Sequence, residues 1–431
     1  MKTISAILIG KVIFSLSRFL KLGGGSAAPG LYALKLDSKL VSKLSNQIPK
    51  TIVVTGTNGK TTTSKMLAHF VANNSFKVIR NSTGSNLERG IASTLIQASN
   101  LAGLMRGTCE VNADLAIWEL DEAAFNSVAP KLNPDLIIFL NAFRDQLDRY
   151  GEIDSVVSKW CKTLNKLSKD ITLIINGDDK NTLSLKRCFK GKSITFGLEN
   201  FKIKGEGHSQ VEPDIEAKNI KPQGLSGSTF QLSVNRELLT INLPLAGIYQ
   251  IYNFLAASIA AQNLGIPANA IASATPSFSA AFGRVEKIDL PVRKELYLML
   301  IKNPTGATQV FETISEELGP QDSLLLALND NLADGTDVSW IWDSEFEILS
   351  AYKGKIICSG TRSYDLALRL KYAGFNTSQI LVESDLKKAY EVATSQLKNR
   401  LFMLPTYTAM LEIQHILTNK ELKGHYWKEG N

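Results

Sequence analysis

Thr51–Thr63 reads TIVVTGTNGKTTT. Thr51 to Val54 has the composition of a short buried strand, and Gly56, Asn58 and Gly59 make a tight loop. Lys60 and Thr61 follow. Ser64–Asn74 then predicts a helix with Met66, Leu67, Phe70 and Val71 on one face. A strand, a glycine loop and a helix start bearing Lys-Thr together form a phosphate cradle, because backbone N–H groups and the positive end of the helix dipole point at the anion. Lys60 would reach the β- and γ-phosphates of a nucleotide, and the Thr61 hydroxyl would ligate Mg²⁺. The general pattern wants a glycine where Val54 stands, so the match is to the more specific variant T-G-T-N-G-K-T. A plain Gly/Asn turn with an exposed lysine is the weaker reading, since strand and helix flank the loop as the cradle requires.

That variant resembles the signature of the Mur ligase superfamily, whose members make peptide-like bonds by phosphorylating a carboxylate with ATP. The resemblance implies ATP and Mg²⁺ as cofactors. It places Gly56, Thr57, Asn58, Gly59, Lys60, Thr61 and Thr62 around the nucleotide.

At 431 residues the chain is long enough for two or three domains. An apolar fraction of 44% and a charged fraction of 21% suit a globular protein. The net charge of +7 suits an acidic or phosphorylated substrate or an anionic membrane surface, and does not choose between them. No basic run interleaves with aromatics, so a nucleic-acid partner is not expected. Cys109, Cys161, Cys188 and Cys358 form no C-x-x-C pair and lie far apart in sequence. Neither a disulfide framework nor a zinc ribbon is expected, and a cytoplasmic location fits.

Residues 1–22, MKTISAILIGKVIFSLSRFLKL, are apolar with Lys2, Lys11, Arg18 and Lys21 interspersed. A signal peptide is disfavoured, because Lys11 interrupts the apolar core and Ala27-Ala28-Pro29 is a poor cleavage site. The uninterrupted run is too short to span a bilayer. An amphipathic helix fits better, with Ile4, Leu8, Val12, Leu16 and Phe19 on one face. It packs on the body of the protein or rests on the inner face of a membrane; both roles stay open here. Gly23-Gly24-Gly25 and Pro29-Gly30 end it, and Tyr32–Leu44 predicts a second short helix. A full Mur ligase has a nucleotide-sugar-binding domain ahead of the loop; here there is room only for a short lead-in, so that UDP-binding domain is expected to be absent.

Asn81–Gly90 follows the strand Lys77–Arg80, at a strand's C-terminal end, where ligands bind in open α/β sheets. Asp114–Leu120 is a strand that delivers Glu119 to its tip, with Asp121 and Glu122 beyond; Glu119 can hold Mg²⁺ beside the phosphates. The strand Asn133–Asn141 leads to Arg144-Asp145-Gln146-Leu147-Asp148, where many Mur ligases carry D-H-L-D. The strand Ile171–Asn176 ends in Asn176-Gly177-Asp178-Asp179, a recurrent nucleotide-site element of the superfamily. Phe201–Val234 predicts a small β insertion. Leu245–Gly265 predicts a long helix whose second half resembles the superfamily's G-x-x-N-x-x-N-x-L-A-A element, a resemblance that implies Asn253 near the adenine or ribose, and Phe282–Glu286 resembles the G-R-x-E element, bringing in Arg284. The expected division is residues 1–45 (lead-in helices), 46–288 (central P-loop ATPase domain, with the insertion at about 200–235) and 289–431 (a C-terminal Rossmann-like α/β domain), with alternating strands and helices in the last part.

Two further stretches narrow the resemblance. Lys302-Asn303-Pro304-Thr305-Gly306 ends one strand, and Asn329–Asp343, NDNLADGTDVSWIWD, follows the next. Asp330, Asp334, Asp337 and Asp343 would repel one another, which a cation, a basic substrate group or a partner's His⁺ would relieve. Trp340 and Trp342 pull the loop onto apolar surface. With the stretch Phe143–Glu152, these motifs are similar to those of the MurT family, and the similarity runs along nearly the whole chain.

The MurT resemblance implies that ATP phosphorylates the α-carboxylate of D-glutamate in the lipid II stem peptide. Ammonia then gives D-isoglutamine, supplied by a GatD-like glutaminase subunit in a heterodimer. Lys60 and Glu119 would serve the phosphoryl transfer. An aspartate of the 330–343 loop, Asp343 or Asp337 ahead of Asp334 and Asp330, would complete the partner's Cys-His pair. The chain itself lacks a glutaminase nucleophile: Gly107–Val111 misses the second glycine of G-x-C-x-G, and His69, His208, His415 and His425 adjoin no cysteine in sequence. Many relatives carry a four-cysteine zinc ribbon where Phe201–Val234 has no cysteine, so no structural zinc is expected. The rival readings are a stand-alone amino-acid ligase of the folylpolyglutamate synthase kind and a nucleotide-gated scaffold at the membrane.

Overall fold

The computed structural model describes residues 2–19, 27–72, 76–81, 85–100, 109–143, 153–199, 212–234, 237–279, 285–291, 294–395, 397–420 and 422. Several motif residues named above fall outside them: Gly23–Gly25, Arg144–Glu152, His208, Gly283, Arg284 and His425.

The stretch that opened the sequence reading builds the middle of the first sheet. Strand β1 (Lys50–Thr55) buries every residue after the first. Its side chains alternate between two cores: Ile52 and Val54 meet Met66, Leu67 and Phe70 of helix α4 (Lys60–Val71), while Val53 faces the opposite layer. The chain before β1 forms α1 (Lys2–Phe19), α2 (Ala28–Leu36) and α3 (Leu40–Ser45), which pack on α5 (Glu88–Ala98). The single helix expected over Tyr32–Leu44 is corrected to two. Asp37 breaks it with φ −137° and ψ 95°, its carboxylate accepting from Thr3 Oγ1 at 2.7 Å, Lys39 N at 3.1 Å and Lys43 Nζ at 2.7 Å.

The remaining strands of this sheet are β2 (Val78–Arg80), β5 (Leu115–Leu120), β6 (Leu136–Phe139), β7 (Thr172–Asn176), β8 (Ser193–Leu198), β9 (Ile215–Pro222), β10 (Ser228–Val234) and β11 (Glu237–Leu243). A short antiparallel pair, β3 (Ser99–Asn100) and β4 (Glu110–Val111), stands apart. The nine strands lie in the order β11-β10-β9-β8-β7-β6-β1-β5-β2. All neighbours are parallel except at β9-β10 and β10-β11. The described part of the expected insertion is therefore no separate unit, because β9 pairs with β8 in register and carries the sheet onward. The chain returns to opposite sides of β1, with β5 on one flank and β6 on the other. The crevice beyond the C-terminal end of β1 is thus the topological switch point.

Helices α6 (Glu122–Leu132) and α7 (Ile153–Leu164) cover one face, followed by the short α8 (Lys180–Ser184). On the other face, α9 (Tyr249–Asn263) is buried from Gln250 to Ala261, its alanines letting it sit directly on α4; α10 (Ala268–Ala274) follows it. Cys161 of α7 is joined to Cys188, just after α8, with Cα atoms 5.3 Å apart. The expectation of no disulfide framework is corrected for this pair, since helix packing brings together residues that are distant in sequence; Cys109 and Cys358 are free.

A second sheet runs β12-β13-β17-β14-β15-β16. Its strands are β12 (Glu286–Leu290), β13 (Lys294–Leu298), β14 (Ser323–Ala327), β15 (Ile356–Ser359), β16 (Ile380–Val382) and β17 (Arg400–Pro405). Only β12 is antiparallel. Helices α11 (Pro304–Ser315), α12 (Ser363–Tyr372), α13 (Leu386–Ser395) and α14 (Tyr407–Asn419) cover its two faces, giving the doubly wound form expected.

Candidate active site

The loop after β1 depends on two left-handed glycines, Gly56 (φ 134°) and Gly59 (φ 90°). A Cβ on Gly59 would overlap the Asn253 amide, so α9 fixes that residue from below. The end of β6 holds the loop from the side. Asn141 accepts from Asn58 N at 2.8 Å through Oδ1 and donates Nδ2 to Asn58 O at 3.1 Å, and its own carbonyl takes Thr57 N at 3.1 Å. The Thr57 hydroxyl bridges to the backbone of Phe143.

Lys60 is buried, and its ammonium donates to Gly56 O at 2.5 Å and Thr57 O at 3.3 Å. Glu122 and Asp121, at the start of α6, lie 3.5 and 3.7 Å from it. Thr61 donates to Glu119 Oε2 at 2.8 Å. Glu119 is 1% exposed, and burial pushes its carboxyl above the ordinary range, although Thr61, Arg80 and Lys60 oppose this. A hydroxyl and one carboxylate beside a phosphate cradle is the donor set that suits Mg²⁺, which keeps most of its shell as water and phosphate oxygen. Among the described residues no group of three or more His, Cys, Asp or Glu gathers as an all-protein metal cage. The residues present fit a nucleotide-borne Mg²⁺.

Asn253 lies under the loop, accepting from Thr63 Oγ1 at 3.4 Å and donating to Gln250 at 2.9 Å. It also lines an open cleft with Asn58, Thr62, Asn176, Tyr249 and Lys302. Asp178 is engaged elsewhere: it accepts from Tyr252 Oη at 2.7 Å and Leu198 N at 2.8 Å, tying α9 to β8. Its neighbour Asp179 caps α8 and takes Ala142 N at 2.8 Å, holding the segment after β6.

Two contacts were not read from the sequence, although both stretches stood out in it. Asn81, at the end of β2, brackets the backbone of Glu119, accepting its N–H at 2.9 Å and donating to its carbonyl at 3.0 Å. Asn303 caps α11 through Gly306 N at 2.8 Å and exchanges side-chain hydrogen bonds with Asn58 at 3.2 and 3.3 Å. Lys302 reaches Thr57 O at 3.4 Å. The second sheet thus lays a helix N-terminus and a lysine over the loop. An Asn-Pro pair between a strand and a helix is an N-cap signal that could have located this contact.

The four aspartates of the 330–343 loop are not one cluster. Asp330 accepts from Thr361 Oγ1 at 2.8 Å and pairs with Arg362 at 3.2 Å, and these hold its carboxyl below the usual range. Asp334 is buried, which raises its pKa; it accepts from Thr408 N at 2.7 Å and from the Thr408 hydroxyl at 2.5 Å. Asp337 takes Ser339 N at 2.8 Å. Asp343 ends a 3₁₀ turn, Ser339–Asp343, and is exposed. Separate partners within the chain relieve the expected mutual repulsion at Asp330, Asp334 and Asp337, so the four do not act as one acidic cluster. Trp340 is buried as expected, whereas Trp342 is 47% exposed. Arg369 of α12 organises the turn, donating to Ile341 O at 3.0 Å, Ser344 O at 2.8 Å and Glu347 at 2.8 Å.

The chain is similar to known proteins along nearly its whole length. Residues 54–261 match the Mur ligase middle domain, and residues 300–410 match the MurT ligase C-terminal domain. The chain is 31% identical to the lipid II isoglutaminyl synthase (glutamine-hydrolyzing) subunit MurT of Streptococcus pneumoniae, over 98% of each chain. It is 30% identical to the same subunit of Staphylococcus aureus, over 93% of this chain and 94% of that one. Among solved structures, MurF from Acinetobacter baumannii superposes with a TM-score of 0.71 at 18% identity, over 92% of this chain and 81% of that one. Folylpolyglutamate synthase of Mycobacterium tuberculosis gives 0.65 at 15%, over 96% and 99%. These two likenesses are of fold alone. Matched end to end by relatives of one kind, with the phosphate loop set between two doubly wound sheets, the chain belongs to the MurT family of ATP-dependent, Mur-ligase-type enzymes.

Proposed function

We propose that the chain is the synthetase subunit of a two-protein amidotransferase acting on lipid II. One oxygen of the D-glutamate α-carboxylate attacks the γ-phosphorus of ATP and ADP leaves, giving an acyl phosphate. Ammonia attacks the acyl carbon, the C–O bond to phosphate breaks, and a proton leaves the nitrogen, giving D-isoglutamine. A separate GatD-like glutaminase supplies the ammonia from glutamine.

The observation that carries this reading is the contact between Asn58 and Asn303 with Lys302 beside it, which sets the second sheet over the phosphate loop. An acceptor held there would meet the nucleotide in the cleft between the two sheets. Lys60 is poised to exchange its carbonyl partners for phosphate oxygens, offsetting charge that develops on the transferred group. Thr61 and Glu119 are the residues to hold Mg²⁺, which supplies further charge neutralisation when bound.

A second arrangement at the same C-terminal edge of the second sheet, after β14, supports the partner. Asp343 is exposed at the end of the 3₁₀ turn. Beside Asp343, Trp342 meets Tyr372 edge-on with ring centroids 5.6 Å apart. Tyr372 with Tyr364 and Leu368 makes an exposed i, i+4, i+8 stripe on α12. An exposed carboxylate beside aromatic anchors suits a protein contact that orients a histidine on the other side.

The test is mass spectrometry of lipid II incubated with ATP, Mg²⁺ and either ammonium or glutamine plus the partner. The stem peptide should exchange one hydroxyl for an amino group, with ADP formed in step. Incorporation of an amino acid instead, by this chain alone, would assign it to the folylpolyglutamate-synthase kind of ligase.

A further inference from the structure

Helices α1 and α2 carry apolar side chains that the fold leaves outside. On α1 the inward face, Ala6, Ile7 and Gly10, is buried, and a Cβ at Gly10 would crowd Ile96 of α5. The outward face presents Leu8, Val12, Leu16 and Phe19, from 37% to 84% exposed and spaced as one helical stripe. Leu31, Tyr32 and Leu36 of the adjoining α2 are exposed as well. The two helices lie antiparallel, with Thr3 at the start of one bonded to Asp37 at the end of the other.

The charge of the whole chain is concentrated here. The first 45 residues hold seven Lys and Arg and a single acid, Asp37, so they supply +6 of the net +7. That acid is 6% exposed and turned inward to Thr3 and Lys43. Lys2 at the start of α1, Lys35 of α2 and Lys39 in the turn after it are exposed. Among the described residues no helix is long and apolar enough to cross a membrane.

We propose that the outward face of α1 and α2 docks the protein on an anionic lipid surface, with the apolar stripe sunk among the acyl chains and the lysines against the headgroups. A second copy of the chain is a poorer occupant, because two faces of the same positive charge would meet. The proposal goes beyond the assignment of the reaction and does not depend on it.

The test uses the full-length chain sedimented with vesicles of phosphatidylglycerol and phosphatidylcholine, or of phosphatidylcholine alone. The anionic vesicles should recover at least about tenfold more protein, and added salt should reduce that recovery. Lys35→Glu with Lys39→Glu should lower binding about tenfold, and Val12→Glu with Leu16→Glu should abolish it, with nucleotide affinity and melting temperature unchanged as the control for folding. Phe19→Trp should show a blue-shifted emission on anionic vesicles only. Equal recovery on both vesicles, or none on either, overturns the proposal. So does lipid-free self-association that Val12→Glu with Leu16→Glu breaks, which would assign the face to a second copy. Vesicle binding by a chain that fails to bind nucleotide would leave this proposal standing and remove the ligase reading.

Discussion

The loop of residues 56–62 and the loop of residues 330–343 both leave the C-terminal end of a buried parallel strand, and they are finished in opposite ways. The first is closed on itself. Its main chain is bonded by Asn141 and covered by Asn303, and its Thr61 hydroxyl meets the buried Glu119 of β5. The second distributes its acids to Thr361, Arg362, Thr408 and Ser339, then ends on an exposed carboxylate beside an exposed tryptophan. The first loop is preorganised by its own chain, as binding of a small charged ligand requires, and the outward residues of the second suit the protein contact proposed above.

The comparison is most easily broken at Lys60. Lys60→Ala should lower amide formation about 10³-fold whether ammonia or glutamine supplies the nitrogen, measured by ADP release with each donor. Asp343→Asn should divide the two regions. Glutamine-dependent turnover with the partner should fall about 10²-fold, while ammonia-dependent turnover by the same preparation holds. An equal fall with both donors would mean that the second loop serves the phosphoryl-transfer site itself. Arg369→Ala sharpens the contrast by loosening only the second loop. Two buried carbonyls and Glu347 lose their donor, so stability should drop by about 2 kcal/mol, read from denaturant melts, and ammonia-dependent kcat should persist in the folded fraction.

The two loops also differ in how far the sequence discloses them. Gly56 to Thr61 form one contiguous motif, and local spacing alone places a lysine, a hydroxyl and a helix start around an anion. The strand carrying Glu119 is equally plain, being an apolar run ending in acids. What supports them is not local: Asn81, Asn141 and Asn303 reach the site from three different strands, and an isolated asparagine after a strand has no periodicity to mark it. The second loop advertises its acids and tryptophans but not their partners. Arg369 and Thr408 lie 26 and 65 residues beyond Asp343 in the numbering, so their roles arise only when β14, α12 and α14 come together. Asp178 shows the converse. A motif at a strand end suggested a ligand contact, and the fold adds a structural role that the motif does not disclose, its carboxylate accepting from Tyr252 Oη and Leu198 N.

The smallest expected effect tests the cradle where it resembles the other loop most, in having an acid. Burial is the largest influence on Glu119 and lifts its carboxyl above the ordinary glutamate range, with the Thr61 hydrogen bond, Arg80 and Lys60 pulling the other way. A carboxyl whose folded pKa exceeds its unfolded value takes up a proton more readily when folded. Its contribution to stability is therefore present at low pH and is lost as pH rises from the ordinary glutamate range through the raised value. Glu119→Gln keeps an acceptor for Thr61 and removes the ionisation. Without nucleotide or metal, the variant should be more stable than the parent at neutral pH by about 1 kcal/mol, and the difference should vanish below the ordinary glutamate range. Paired melting curves across that pH interval measure it. A cost at neutral pH, instead of a gain, would mean that the ionised carboxylate is satisfied by the protein alone, as Asp330 is by Thr361 and Arg362. The cradle would then hold no uncompensated charge for a bound cation to relieve.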